Sequence, residues 1–222
     1  MPVKEAREHS TDQAAVTDLI RTAILDGDFA PNQRMVEADL CAQYDASRSA
    51  VRAALHELTA QGLVERIQNR GARVRSVSLD EAVEITEVRM VVEGLCAAKA
   101  AQKITDAEIE ELTALREELT TSVSAGDVFG YSRANQLLHK RVREISAQRS
   151  ADEILERLRG QLVRHQFKLS MHPGRMSVSL PEHVAIIDAV CARDPERAEA
   201  AMRHHLASVT TALEDVAEAR QG

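Results

Sequence analysis

Hydrophobic residues recur at helical spacing along most of the chain, with one short region where the pattern is strand-like. The first helical stretch has apolar residues three and four positions apart, at Val16, Leu19, Ile20, Ala23 and Ile24. This helix is expected to end near 26–28, where Gly27 can take the left-handed conformation that closes many helices. After a turn at Pro31 and Asn32, a second helix is expected over about 36–44.

The next helix, which begins near Ser47, has one basic and one apolar face. Arg48 and Arg52 are four residues apart, so they share a face. The opposite face is apolar and can pack inward through Val51, Leu55 and Leu58. Such a helix can present two guanidinium groups to phosphates or guanine edges. Two arginines alone are also typical of a solvated helix face, so the interpretation depends on the elements around them.

A β-hairpin is expected directly after this helix. The chain turns at Gly62 and continues in two strand-like segments, 63–67 and 72–77. Residues 68–71 form the tip between them, where Arg70 adds a positive charge. Three helices and a two-stranded wing within about 80 residues predict a winged helix-turn-helix.

A family pattern is matched in register by a set of residues across this region: Glu37, Leu40, Ser47, Arg48, Val51, Arg52, Ala54, Leu55, Leu58, Gly62, Leu63, Val64 and Gly71. In this order they resemble the DNA-binding domain of GntR-superfamily transcription regulators. Asn32 replaces a usual glycine and can still adopt a positive φ, and Ala50 replaces a usual proline. The resemblance implies DNA contacts from Arg34, Ser47, Arg48, Ser49, Arg52, Arg70 and Gly71.

From residue 79 onward the pattern is helical, without strand-like alternation. Four sequences fit the capping box that begins many helices, at Ser78, Thr105, Ser150 and Ser179. Helices are expected over 80–101, 106–124, 128–146, 151–170, 180–192 and 195–218, with an irregular loop over 171–179. Six antiparallel helices with short connections favour a bundle. The expected fold class is mostly α, with a winged helix-turn-helix domain over 1–78 and an all-α antiparallel bundle over 79–222.

Histidines supply the candidate chemistry of the second domain. Asn135 and His139 are four residues apart and face the same side of one helix. His183 and His205 belong to two other predicted helices. Three imidazoles and one oxygen donor could converge on a divalent metal inside the bundle. The spacing alone fits equally well with separate, partly buried histidines that make ordinary hydrogen bonds.

Four sequence segments add a family resemblance: EVRMVVE at 87–93, NQLLH at 135–139, EHVAIIDAV at 182–190 and DPERAEAAMRHHL at 194–206. In this order they resemble the FCD ligand-binding domain of the FadR subfamily. The resemblance implies a metal site with Asn135, His139, His183 and His205 as ligands. Asn135 stands where an acidic ligand is usual, and its amide oxygen can coordinate without charge. Such donors suit zinc, nickel, iron or manganese without distinguishing among them.

Arg89, on the first helix of the second domain, has two interpretations. It could bind the carboxylate of an effector, or it could pair with Glu93 one helical turn further on. His204, next to His205, points about 100° away around the helix and is not expected to be a ligand.

Composition sets bounds on this picture. The chain of 222 residues has a net charge of −7, but 47–75 contain six arginines and two glutamates, so a local basic surface remains. With only three Phe, two Tyr and no Trp, the core must be aliphatic. Three widely separated cysteines indicate free thiols in a reducing compartment. No signal peptide or long apolar run is evident, so a cytoplasmic location without membrane association is expected.

These patterns together favour a ligand-responsive transcription regulator over an enzyme. The bundle would bind a small carboxylate effector. The resemblance implies that the bundle also forms a homodimer, whose two-fold symmetry predicts a palindromic double-stranded operator, and repression is the commoner mode in the family. One alternative is a metal-dependent hydrolase fused to a DNA-binding module, although no matched nucleophile or base accompanies the histidines. Another is a regulator whose metal is structural or absent.

Overall fold

The chain folds into two units, Met1–Ser76 and Val77–Gly222. The computed structural model describes residues 13–67 and 71–218. The predicted wing tip at Gln68, Asn69 and Arg70 therefore lies outside the described residues. Within them, no helix is long and apolar enough to cross a membrane.

The N-terminal unit contains three helices, α1 (Gln13–Asp26), α2 (Glu37–Tyr44) and α3 (Arg48–Ala60). Their apolar faces meet in one core with the sheet, whose most buried side chains include Val16, Ile20, Met35, Leu40, Val51 and Leu58. The predicted turns are confirmed, since Gly27 follows α1 with a φ of 89° and Asn32 has a φ of 66°. This packing leaves the opposite face of α3 exposed to solvent.

The sheet has one strand more than the predicted two-stranded wing. Strands β1 (Arg34–Met35), β2 (Val64–Ile67) and β3 (Gly71–Val74) are arranged in the order β1-β3-β2, and both pairs are antiparallel. Because β1 has only two residues, it carries no alternation that a sequence pattern could reveal. It forms through pairing with β3, which places Arg34 opposite Arg73.

The C-terminal unit is helical throughout its described residues. Its helices are α4 (Leu79–Lys103), α5 (Asp106–Ala125), α6 (Val128–Ser146), α7 (Arg149–Ser170), α8 (Arg175–Cys191) and α9 (Pro195–Glu218). The main core is aliphatic, as composition predicts, and includes Leu112, Leu119, Leu138, Ile186, Ile187 and Met202. The three cysteines are free.

Two of the four predicted capping boxes begin helices. Ser78 accepts a hydrogen bond from the Glu81 amide, and Thr105 forms the reciprocal box with Glu108. The predictions at Ser150 and Ser179 were wrong, because α7 begins one residue before Ser150 and α8 begins at Arg175.

The start of α8 also corrects the predicted loop over 171–179. Gly174, with a φ of 82°, begins the helix, which continues past Pro181 to Cys191. Met176 and Leu180 pack against the core, and Ser179 is buried. These tertiary contacts favour a helix where the local sequence indicates a break.

Candidate DNA interface and candidate metal centre

The first turn of α3 carries the residues expected to contact DNA. Ser47 caps the helix, because its hydroxyl accepts a hydrogen bond from the Ala50 amide at 3.2 Å. Its Oγ also lies 2.9 Å from the Ser49 Oγ. Ser47, Arg48 and Ser49 are all exposed. The helix therefore presents two hydroxyls, a guanidinium and its N-terminal end on one open surface.

Arg52 lies on the same exposed surface but is engaged within the protein. Its Nε donates to the Glu37 carboxylate at 2.7 Å, and Arg52 is exposed whereas Glu37 is half-buried. An ion pair in water contributes little to stability. It fixes the direction of the guanidinium, however, and a phosphate or base edge would have to compete with Glu37 for it.

A cleft of about 410 Å³ separates α3 from the wing. Its lining residues are Glu37, Arg52, Leu55, Arg66, Ile67, Gly71 and Ala72. Gly71 enters β3 with a φ of 90°, which L side chains rarely adopt. Arg34 and Arg66 are both exposed. Sequence reasoning did not single out Glu37 or Arg66 as site residues, and the excess of arginines over 47–75 was the only signal for Arg66.

Three histidines from three helices meet inside the C-terminal unit. His139 of α6, His183 of α8 and His205 of α9 are buried, and a ring nitrogen of each lies within 4.8 Å of the others. The Nε2 atoms of His183 and His205 are 3.2 Å apart. The structure thus brings together three of the four residues implied as metal ligands.

The Nδ1 atom of each imidazole has a hydrogen-bond partner. His139 Nδ1 lies 2.6 Å from a Glu93 carboxylate oxygen, and His205 Nδ1 lies 2.8 Å from one of Glu182. His183 Nδ1 lies 2.8 Å from the Tyr131 hydroxyl. Partners of this kind fix ring orientation and leave Nε2 free to act as a ligand. Tyr131 was not predicted, although its position four residues before Asn135 places it on the same helix face.

Burial favours the neutral form of two of these imidazoles, those of His183 and His205. It lowers the pKa of His183 well below its usual range, and it lowers that of His205 to about 4 despite the hydrogen bond that His205 donates to Glu182. Burial alone would raise the pKa of Glu93, but Arg89 and His139 hold it well below its usual range. Neutral imidazole is the form that binds metal ions.

Asn135 lies one helical turn before His139, and its Oδ1 atom is buried without a hydrogen-bond partner in the described part of the chain. A buried acceptor left unpaired is costly, so this atom is suited to an additional ligand. The buried donors therefore comprise three imidazoles and one free amide oxygen, a set that fits a divalent transition metal.

Arg89 forms the intrahelical pair that was its second interpretation. It is buried, and its Nε and Nη2 atoms lie 2.8 and 2.7 Å from Glu93 Oε1. Arg175 plays a comparable part, with Nη2 3.4 Å from the Glu182 carboxylate. Sequence reasoning missed Arg175 because it assigned that residue to a loop. Each carboxylate behind a histidine is therefore itself paired with an arginine.

A winged helix with an arginine-rich surface, followed by a helical domain with a buried polar centre, defines a DNA-binding transcription regulator. Residues 12–74 match the family described as bacterial regulatory proteins of the gntR family, and residues 84–208 match the FCD domain. The chain belongs to the GntR family of regulators and is of the FCD type. Members of this family are transcription regulators and not enzymes, so the hydrolase alternative is set aside.

Similar proteins cover nearly the whole chain. A Paenarthrobacter nicotinovorans protein named "Probable D-xylose utilization operon transcriptional repressor" is 28% identical over 90% of this chain and 87% of its own. A GntR transcriptional regulator from Rhodococcus sp. RHA1 is 25% identical, with a TM-score of 0.71 over 91% of this chain and 97% of its own. E. coli McbR/YncC, at 21% identity, has a TM-score of 0.73 over 94% and 97%.

Proposed function

We propose that this regulator represses transcription from a palindromic operator and responds to a small carboxylate effector bound through a divalent metal. The observation that carries the metal is the histidine cluster, with each Nδ1 held by a partner and the buried Asn135 Oδ1 left unpaired. His139, His183, His205 and Asn135 would hold the ion. Zinc, nickel, iron and manganese all suit these donors.

A carboxylate effector follows from the charges around the cluster. The carboxylates of Glu93 and Glu182 are paired with Arg89 and Arg175, so these four groups are neutral together. Three imidazoles and an amide add no charge. A divalent ion there would keep its full +2 charge in a buried place, which is costly unless an anion completes its coordination. While Arg89 is paired with Glu93, its influence on the effector would be indirect, through Glu93 and His139. Direct binding of the effector carboxylate by Arg89 would require that this ion pair opens.

For the DNA interface, we propose contacts from Arg34, Ser47, Arg48, Ser49, Arg52, Arg70 and Gly71. All of these except Arg70, which lies outside the described residues, are exposed. Arg48 and Arg52 would contact phosphates or guanine edges in the major groove, and the wing would follow the backbone beside them. Because the operator lies in the bacterial cytoplasm, the protein would act there. The relative named for D-xylose utilization is described as a repressor, which supports repression here.

A homodimer would form through α4. Val88, Val91 and Leu95 are exposed at three- and four-residue spacing on this helix, and Ile154 is exposed on α7, which packs beside it. We call these four residues the α4 stripe. Exposed apolar side chains grouped on neighbouring helices are typical of protein–protein contacts. A two-fold axis through it would place two winged helices on two half-sites of a palindrome.

The test is a gel-shift titration of metal-loaded protein on its operator, with acetate, succinate and citrate added separately. At least one of these carboxylates should change operator affinity, and the His139→Ala/His183→Ala double variant should lose the response while it still binds DNA. The same carboxylate effect in both proteins would contradict a role for the metal. No effect of any carboxylate on either protein would favour a structural metal instead.

A further inference from the structure

A buried arginine of α6 has unused hydrogen-bonding capacity. The side chain of Arg143 is only 3% exposed, with Nε donating to Asp152 at 2.9 Å and Nη2 to Glu156 at 2.5 Å. Its Nη1 is buried without a hydrogen-bond partner among the residues the structure describes. A buried guanidinium whose donors are not all satisfied is costly, so a further acceptor is expected there.

A second arginine lies directly beside it. Arg159 of α7, 20% exposed, has Nη1 3.7 Å from Glu156 Oε1, the same oxygen that accepts from Arg143. Two guanidinium groups therefore share one carboxylate oxygen. Burial lowers the pKa of Arg159, and the positive charge of Arg143 lowers it further. This is the expected effect when two like charges lie close together in a partly desolvated environment.

The negative charges near these arginines compensate them only weakly. Glu156 is 61% exposed and Asp152 is 47% exposed, so water competes for both carboxylates. The buried carboxylate of Glu93 is occupied by Arg89 on one oxygen and His139 on the other. Among the described residues, neither arginine therefore has a buried carboxylate as its ion-pair partner.

We propose that Arg143 and Arg159 form a binding site for a small oxyanion of the phosphate or dicarboxylate type. The unpaired Nη1 of Arg143 and the guanidinium of Arg159 would donate to two oxygens of the same ion, the geometry in which arginine binds such groups. Glu156 would compete with the ion. The site shares no residue with the histidine cluster, and Arg143 lies one helical turn beyond His139 on α6.

The test titrates inorganic phosphate, and in a separate arm succinate, into the full-length protein by calorimetry. Wild type should show saturable binding. Arg143→Gln should weaken it by about tenfold or more, because a charged donor is lost. Glu156→Gln should tighten it by about threefold or more, because a competing carboxylate is removed. Arg116→Gln removes an exposed arginine paired with Asp188 in the same unit and should change nothing.

Phosphate held at a metal ion would be insensitive to both substitutions at this site, so equal affinity in wild type, Arg143→Gln and Glu156→Gln overturns the proposal. Absence of saturable binding for both ions overturns it too. If circular dichroism shows that Arg143→Gln does not fold, the exposed Glu156→Gln variant decides, and unchanged or weaker binding there counts against the site. Tighter binding of phosphate or of succinate tells which kind of oxyanion the site prefers.

Discussion

At the residue scale, orientation matters as much as identity in the candidate metal centre. Each histidine is fixed by a different partner, Glu93, Tyr131 or Glu182, and each partner comes from a helix other than the one that carries its histidine. A ring that is free to rotate loses entropy when it binds a metal, whereas these rings have already been ordered by folding.

The convergence of His139, His183 and His205 could be predicted from sequence because helical spacing and family resemblance act on single positions. Their partners could not be predicted. Tyr131 belongs to no recognisable motif. Arg175 falls within the predicted loop over 171–179, so the sequence gives no reason to expect its contact with Glu182. The contact between Glu93 and His139 joins residues of two separate helices, which no local pattern encodes.

Substitution of Arg48 or Arg52 by alanine should weaken operator binding without unfolding the protein, since both side chains are exposed. Loss of an arginine that reads a base costs about 1–3 kcal/mol, or roughly 5- to 150-fold in affinity. A gel-shift titration measures this, with circular dichroism to verify the fold. Arg116→Ala, on the other unit, is the matched control. Wild-type affinity in both variants would remove these residues from the interface.

Asn135→Asp should bind the metal more tightly and hold a carboxylate effector less tightly in the metal-loaded state. The aspartate would lower the charge of the site from +2 to +1 and so weaken its attraction for an anion, on the order of tenfold. Calorimetric titration of acetate, succinate and citrate into both metal-loaded proteins tests this. Unchanged or stronger carboxylate binding in the variant would show that the charge argument is wrong.

At the element scale, sequence patterns predict the regular amphipathic helices correctly but not the start of α8 or the short strand β1. Helix α6 occupies Val128–Ser146 and α9 occupies Pro195–Glu218, as expected from amphipathic spacing and caps. The failure at α8 has a physical cause, because buried contacts of Ser179 and Leu180 outweigh the helix-breaking signals around Pro181. Strand β1 was missed because two residues hold too little pattern.

The α4 stripe provides a prediction for this scale. Val91→Glu should convert the proposed dimer to monomers, because a carboxylate would be buried in an apolar interface. Sedimentation velocity on both proteins at equal concentration measures the change. Leu137→Glu places the same charge on an exposed apolar position of α6 outside the stripe and should leave the dimer intact. A Val91→Glu variant that sediments like wild type would exclude the stripe as the interface.

At the scale of the whole molecule, charge and chemistry are divided between the two units. The net charge of −7 does not oppose DNA binding, because arginines are concentrated over 47–75. The buried polar centre belongs entirely to the second unit. The division into two units can be predicted from the sequence, because the strand-like pattern ends near residue 77 and only helical patterns follow it.

The central claim is that His139, His183 and His205 hold a metal ion, and metal content tests it most directly. Elemental analysis would compare wild type, His139→Ala/His183→Ala and the control His204→Ala, an exposed neighbour of His205. All three proteins are purified without chelator or nickel resin. The account predicts about one transition-metal ion per chain in wild type and in the control, none in the double variant, and operator binding retained in all three. Equal metal content in wild type and double variant would contradict it.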